Sequence, residues 1–290
     1  MFARRHQHTI ASPQRVRGYG YWSGRDISVE FHPAEENTGV VFVRTDLPGA
    51  PRIPASVAHR MAMPRRTNLT AGQASVEMVE HVMAALAGLE IDNCEVWVDA
   101  AEMPGLDGSA LPLVEALDRA GLVRQSARRG RTPVRKPLRL GTEKCWIEAR
   151  PCCSGRTILQ YELDYGPGNP IGHQRLELVL TPETFRQELA PCRTFMLESE
   201  ADILRQKGLG TRVTYQDVLV FGAQGPIDND LRFPDECVRH KLLDMVGDLA
   251  LAGCDLAGRF SAYRSGHQLN TELVHTLLAK QQTQELKRCA

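Results

Sequence analysis

Two kinds of hydrophobic spacing alternate along the chain. In DISVEFHPA (26–34) and TGVVFVRTDL (38–47) apolar and polar positions alternate between Gly, Pro and Asn boundaries, which predicts antiparallel β-strands. The period then lengthens. VEMVEHVMAALAGL (76–89) repeats its apolar residues at helical spacing, and with Ser75 as a cap and Glu77 in the first turn it predicts a helix over 75–89. A β-like stretch follows, CEVWVDA (94–100), then a loop, EMPGLDGS (102–109), and a second helix over 110–120. Pro112 falls near the start of that helix, where its missing N–H costs little.

The second half repeats this order. LRLGTEKCWIEAR, TILQYELDY and QRLELVLT read as strands, a helix is predicted over 236–252, and the strand-like DLAGRFSAY leads into a helix from about Ser265. VEHVMAALAG matches VRHKLLDMVG in pattern, and DGSALPLVEAL matches SGHQLNTELVH. The offset is 159 residues for the His81/His240 pair and 158 for Ser109/His267. The expected fold class is therefore α+β, with two similar domains from a duplicated unit (1–126 and 127–290). Each is a mainly antiparallel sheet packed with two helices, and the helices face one another across a cleft. The basic stretch RQSARRGRTPVRK (124–136) is the expected joint and reads as a solvated linker.

Composition removes several function classes. Hydrophobic residues make up 42% and charged residues 24%, as in a globular protein, and 35 Lys plus Arg balance 35 Asp plus Glu, so no global field recruits nucleic acid or an anionic membrane. No run of 18 apolar residues exists, and the N-terminus lacks the apolar region of a secretory signal; the expectation is a cytoplasmic protein. Its eight cysteines show no CxxC spacing and read as free thiols. HQHTI (6–10) reads as a mobile segment without chemistry, and DGS (107–109) as a turn with a helix cap. No GxGxxG or Walker motif stands in a suitable context, which argues against dinucleotide or nucleoside triphosphate chemistry.

The chemistry gathers around a polar stripe. His240, Asp244 and Asp248 are four residues apart on the predicted 236–252 helix and share one face, with Lys241 at its edge. Such a stripe is costly to bury unless it meets a metal or hydrogen-bond partners. An imidazole and a carboxylate at i, i+4 can share a metal, yet HxxxD occurs on many helices and alone does not separate the two. Glu80–His81 adds the groups a metal hydrolase needs, one residue to ligate and a carboxylate beside the metal to take a proton from water. SGH (265–267) adds a His at a helix start, placed to act as an acid or to stabilise an oxyanion, with Asp248 to orient it.

Taken together, VEHVMAALAGLEIDN (79–93), EMPGLDGSA (102–110), CRTF (192–195), ECVRHKLLDMVGDLALAG (236–253) and AYRSGHQLN (262–270) closely resemble the UDP-3-O-acyl-N-acetylglucosamine deacetylases, which catalyse the committed step of lipid A synthesis. The resemblance implies a zinc-dependent amidase of two facing α+β domains. It implies zinc ligands His81, His240 and Asp244, a site that ferrous iron also suits. It further implies Glu80 as general base, His267 as the cationic partner supported by Asp248, and Thr194 polarising the amide carbonyl. Lys241 would meet the polar or phosphate part of the substrate, and Phe195 would pack beside the sugar. Residues 196–214 match an insert that forms a passage for the fatty acyl chain, to be lined by Met196, Leu197, Ile203, Leu204 and Leu209.

The chain departs from the family pattern in three places. GYGYWSG (18–24) has Trp22 where a His is expected, Glu77 and Met78 replace a Ser-Thr pair, and Met196 replaces a Gly. Two other readings use the same residues: a zinc amidase for another acetylated nucleotide sugar, and a catalytically weak paralogue that binds the nucleotide sugar or a regulatory protein. The partner implied by the resemblance is a small UDP-acyl-sugar, with no nucleic acid and no transmembrane segment.

Overall fold

The computed structural model describes residues 4–289, with side chains described as far as 281. The first sheet has five strands in the order Gln14–Tyr19, Asp26–Pro33, Cys94–Val98, Val40–Arg44 and Arg52–Pro54. Alternation along these segments predicts strands, but the two early ones, Asp26–Pro33 and Val40–Arg44, are not neighbours. Cys94–Val98 lies between them, antiparallel to the first and parallel to the second. The apolar side of each strand, including Val29, Phe31, Phe42, Val96 and Val98, is buried, while Trp97 on the other side is exposed.

The main second-half sheet runs Leu138–Thr142, Cys145–Arg150, Asp255–Tyr263, Thr157–Asp164, His173–Val179. Its directions repeat those of the first sheet. The latest strand in sequence is again central, antiparallel to one neighbour and parallel to the other. Arg131–Pro133 extends the same central strand in parallel. The fold is α+β with mostly antiparallel sheets.

Helices Glu80–Gly88 and Glu236–Ala250 pack on each other between the sheets. Helix Leu111–Ala120 contacts the first of these, and the helix His267–Cys289 the second. The central pair approaches unusually closely at one point. A Cβ on Gly247 would lie 2.1 Å from the carbonyl oxygen of Glu80, so only glycine fits there. Phe185 similarly lies flat on Gly88, where a Cβ would fall 2.2 Å from its ring.

Three expectations need correction. The predicted 75–89 helix begins only at Glu80, because Ala74–Val76 pairs with Asn68–Ala71 as a strand and Ser75 is therefore not a cap. Met78 makes the corner between strand and helix at φ +60°, its N–H held by the Asn68 side chain. HQHTI is an ordered strand, His6–Ile10, antiparallel to Leu122–Arg128. The basic 124–136 stretch is likewise no solvated linker: it pairs first with that strand and then, through Arg131–Pro133, with the second sheet. One of its charges, Arg129, is neutralised where the chain crosses over. Arg5 and Arg129 both meet Asp92 of the first half and Asp255 of the second. The seven described cysteines are free, and no helix among the described residues is long and apolar enough to cross a membrane.

Candidate metal centre and the cavity around it

The close helix crossing at Gly247 brings the start of one helix against the middle of the other. His81, on the first turn of Glu80–Gly88, thereby meets His240 and Asp244, one turn apart on Glu236–Ala250. His81 Nε2 and His240 Nε2 lie 3.6 and 3.4 Å from Asp244 Oδ1, and one donor atom from each of the three residues falls within 4.8 Å of the others. Ligand bonds of roughly 2.0–2.1 Å in a tetrahedral shell put ligand atoms roughly 3.3 Å apart, close to those separations. The rings of His81 and His240 stand edge to face, 5.1 Å apart.

The surroundings set the protonation that ligation requires. His240 donates from Nδ1 to the Cys192 carbonyl at 3.0 Å, which leaves the Nε2 lone pair directed at Asp244. Burial pushes the His240 imidazole down to about 3, so it is neutral. Burial alone would raise Asp244, but Lys241 foremost, with His240, His81 and His267, holds it well below the usual carboxylate range. Lys241 donates to Asp244 Oδ2 at 2.8 Å; despite its own burial, Asp244 and Tyr161 keep the ammonium above its ordinary value.

Two carboxylates flank this cluster with different environments. Burial raises Glu80, against the pull of His267 and His81, which suits a group that accepts a proton. Its Oε2 is fixed by the backbone N–H of Thr67 at 3.0 Å. Asp248 is fully buried and accepts three hydrogen bonds, from Thr67 Oγ1 at 2.6 Å, His267 Nδ1 at 2.9 Å and Asn270 Nδ2 at 2.9 Å. His267 opens the helix His267–Cys289. Burial opposes its charging, but Asp248, then Asp244 and Glu80, raise it to about 9.

Glu80, His81, His240, Lys241, Asp244 and His267 form one wall of a cavity of about 700 Å³. Thr194, Phe195 and Met196 line another wall, with the Phe195 ring 6.2 Å from that of His240 and under Lys241 at 5.6 Å. The CRTF segment is anchored by Arg193, whose guanidinium and N–H both meet the buried carboxylate of Glu236 at 2.9 Å. The insert begins in strand Phe195–Leu197 and continues as helix Glu198–Gln206, and strand Leu219–Gly222 after it pairs with the first strand. Of the residues expected to line a passage, Met196, Leu204 and Leu209 face the cavity. Leu197 instead packs on the main core, and Ile203 is 52% exposed on the outer side of its helix. Ala201, Val213, Val218 and Val220 line the cavity in their place, and no periodicity in the sequence distinguishes them.

Trp22 also lines this cavity, with the Arg66 guanidinium stacked 4.5 Å above its ring. Its turn wraps a carboxylate: Trp22 and Ser23 donate their N–H groups to Glu102 at 2.7 and 2.9 Å. Asp107 of the DGS turn accepts from Ser109 and pairs with Arg232 at 2.8 Å, so it joins the first half to the second as well as shaping the turn. The groups missed in the sequence are Thr67, Asn270 and Cys192. Each contributes a contact to a residue at least 22 positions away on Asp248 or His240, for which local spacing carries no signal.

A family model described as UDP-3-O-acyl N-acetylglycosamine deacetylase matches residues 7–279. The UDP-3-O-acyl-N-acetylglucosamine deacetylase of Thermosynechococcus vestitus is 39% identical over 271 residues, covering 93% of each chain. Those of Brucella ovis and Brucella melitensis are each 38% identical over 283 residues, covering 97% of this chain and 98% of theirs. The chain belongs to this deacetylase family.

Proposed function

We propose, with membership of that family as the premise, that the protein is a zinc-dependent hydrolase. It removes acetate from the 2-acetamido group of UDP-3-O-acyl-N-acetylglucosamine, the committed step of lipid A synthesis, in the cytoplasm. One observation carries the reading: two His and one Asp converge beside a buried, raised carboxylate and a raised, Asp-oriented His, in one cavity. The donor set suits a divalent cation, since the neutral His240 keeps a free Nε2 and Asp244 is ionised. His81, His240 and Asp244 would hold it; when bound, zinc polarises the amide carbonyl and lowers the pKa of water.

The chain's own residues supply the rest. Glu80, desolvated and held at one oxygen by Thr67, takes the proton of the attacking water at its other oxygen. The tetrahedral oxyanion is met by the His267 imidazolium, with Thr194 as a second donor on the facing wall. Collapse expels the amine, which takes up a proton from Glu80 or His267, and acetate leaves. Lys241 and Phe195 orient the sugar beside the metal ligands. Met196, Leu204 and Leu209, with Val213, Val218 and Val220, receive the acyl chain. We also propose that the two halves descend from one duplicated unit, a reading supported by their matching strand order.

Acetate release from acylated and unacylated UDP-N-acetylglucosamine, with metal content measured on the same sample, tests this function. Turnover of the acylated compound is expected to dominate. Preference for the unacylated sugar would assign a different substrate, and tight binding without acetate release would make the protein a binder.

A further inference from the structure

Thr67 is the one described residue that bonds both to the Glu80 carboxylate and to Asp248, the partner of His267. Its backbone N–H donates to Glu80 Oε2 at 3.0 Å, and its hydroxyl donates to Asp248 Oδ1 at 2.6 Å; both bonds are buried. Its carbonyl accepts from the N–H of Val79, the residue before the helix, at 3.1 Å. It is itself 1% exposed, at the lower edge of the short strand Asn68–Ala71. Three bonds from one residue therefore reach both helices that meet at the metal centre, across sequence separations of 13 and 181.

We propose that Thr67 is a positioning residue that sets Glu80 and the Asp248–His267 pair in register with each other. The proposal rests on the base and acid roles given above for Glu80 and His267. Two features make the hydroxyl matter. Asp248 is fully buried, so removing one of its three donors leaves a lone pair that water does not reach, a loss felt by a charged acceptor more than by a neutral one. The two oxygens of Asp248 are also divided between tasks. Oδ2 holds His267 and Asn270, while Oδ1 is held by Thr67. Without the Thr67 bond the carboxylate is held at Oδ2 alone and can pivot there, so the acceptor of His267 Nδ1–H is less closely fixed. A base and an acid that serve one tetrahedral centre must keep their separation, and a misplacement of about 1 Å costs on the order of 10²-fold in rate. A shared anchor ties that separation to a single residue.

The test compares Thr67→Val, which keeps the shape and the backbone N–H but lacks the hydroxyl, with Thr67→Ser, which keeps the hydroxyl. In the full-length protein, Thr67→Val is expected to lower kcat about tenfold with KM within twofold, and Thr67→Ser to restore kcat to within twofold of the parent. In a His267→Ala background the Val change should have less than a twofold further effect. Proton NMR gives a readout independent of turnover: the His267 Nδ1–H resonance, recognised by its loss in His267→Ala, should move in Thr67→Val and return in Thr67→Ser. If Thr67→Val folds poorly, Thr67→Ala replaces it and must move the same resonance. An unmoved resonance, equal effects of Val and Ser, or additivity with His267→Ala would each overturn the proposal. Should the parent release no acetate, the NMR comparison still decides whether Thr67 fixes Asp248, so the two readings fail separately.

Discussion

Replacing Gly247 by alanine places a methyl group where the Glu80 carbonyl already is. The new Cβ would fall 2.1 Å from that oxygen, 2.9 Å from the carbonyl carbon and 3.1 Å from Cα. Ordinary contact between carbon and oxygen needs roughly 3.3 Å, so the helices must part by about 1 Å, and backbone cannot rotate aside as a flexible side chain does. Overpacking of this kind costs about 1–3 kcal/mol, while Gly→Ala inside a helix returns about 1 kcal/mol. With backbone on one side of the clash, a net loss of roughly 1–2 kcal/mol is expected, or a melting temperature lower by a few degrees. The larger effect falls on the site, because the displaced segment carries Glu80 and His81. Metal ligands tolerate about 0.2 Å, so a shift of about 1 Å should weaken metal binding and reduce turnover on the order of 10²-fold. Thermal unfolding, metal titration and acetate release on the purified variant read these together. A variant as stable as the parent or more so, with unchanged metal affinity, would show that the crossing is not set by this contact.

Other perturbations separate the roles of individual groups. Glu80→Gln should keep metal content while lowering kcat by about 10²–10⁴, as measured by turnover alongside metal analysis; near-normal turnover would remove Glu80 as the base. In the metal-free protein, His267 should titrate near 9 by NMR. Its folded value lies above the ordinary 6.5, so its stabilising charge is fully present below about 6.5 and is lost as pH rises through 9; Asp248→Asn should bring the midpoint down, and a parent midpoint at or below 6.5 would contradict the contacts described. Arg193→Met leaves the fully buried Glu236 carboxylate with backbone N–H donors but without its guanidinium and should cost about 3–5 kcal/mol in denaturant unfolding, with a cost under about 1 kcal/mol counting against a structural role for the pair.

Much of the site is legible in the sequence because its parts lie on helices. His240, Asp244 and Asp248 follow from a fixed turn angle, and Glu80–His81 from adjacency, so their faces can be computed before the fold is known. The start of the first helix is different. Ser75 has the chemistry of a cap, but pairing of Val76 with Leu69 draws it into a strand and leaves Met78 to turn the corner. Tertiary hydrogen bonds there override local propensity. Thr67 and Cys192 are invisible for a related reason, since each reaches the site through bonds to residues distant in sequence. Ile203 and Leu204 show the same limit at shorter range: both are apolar on one short helix, and only the tilt of that helix decides which meets the cavity.

In both halves the strand at the centre of the sheet is made last. Cys94–Val98 inserts between strands finished about 50 residues earlier, and Asp255–Tyr263 between strands finished about 90 residues earlier. During synthesis, then, the first sheet can close once Cys94–Val98 has emerged, while the second waits for Asp255–Tyr263. Asp244 and Asp248 stand just before that closing strand and His267 just after it. A nascent chain stalled before Asp255 has His81, His240 and Asp244, but the sheet behind the helix of His240 and Asp244 lacks its central strand, and His267 is missing altogether. On the proposed reading, the order of synthesis withholds the acid of the site until the second sheet has its central strand.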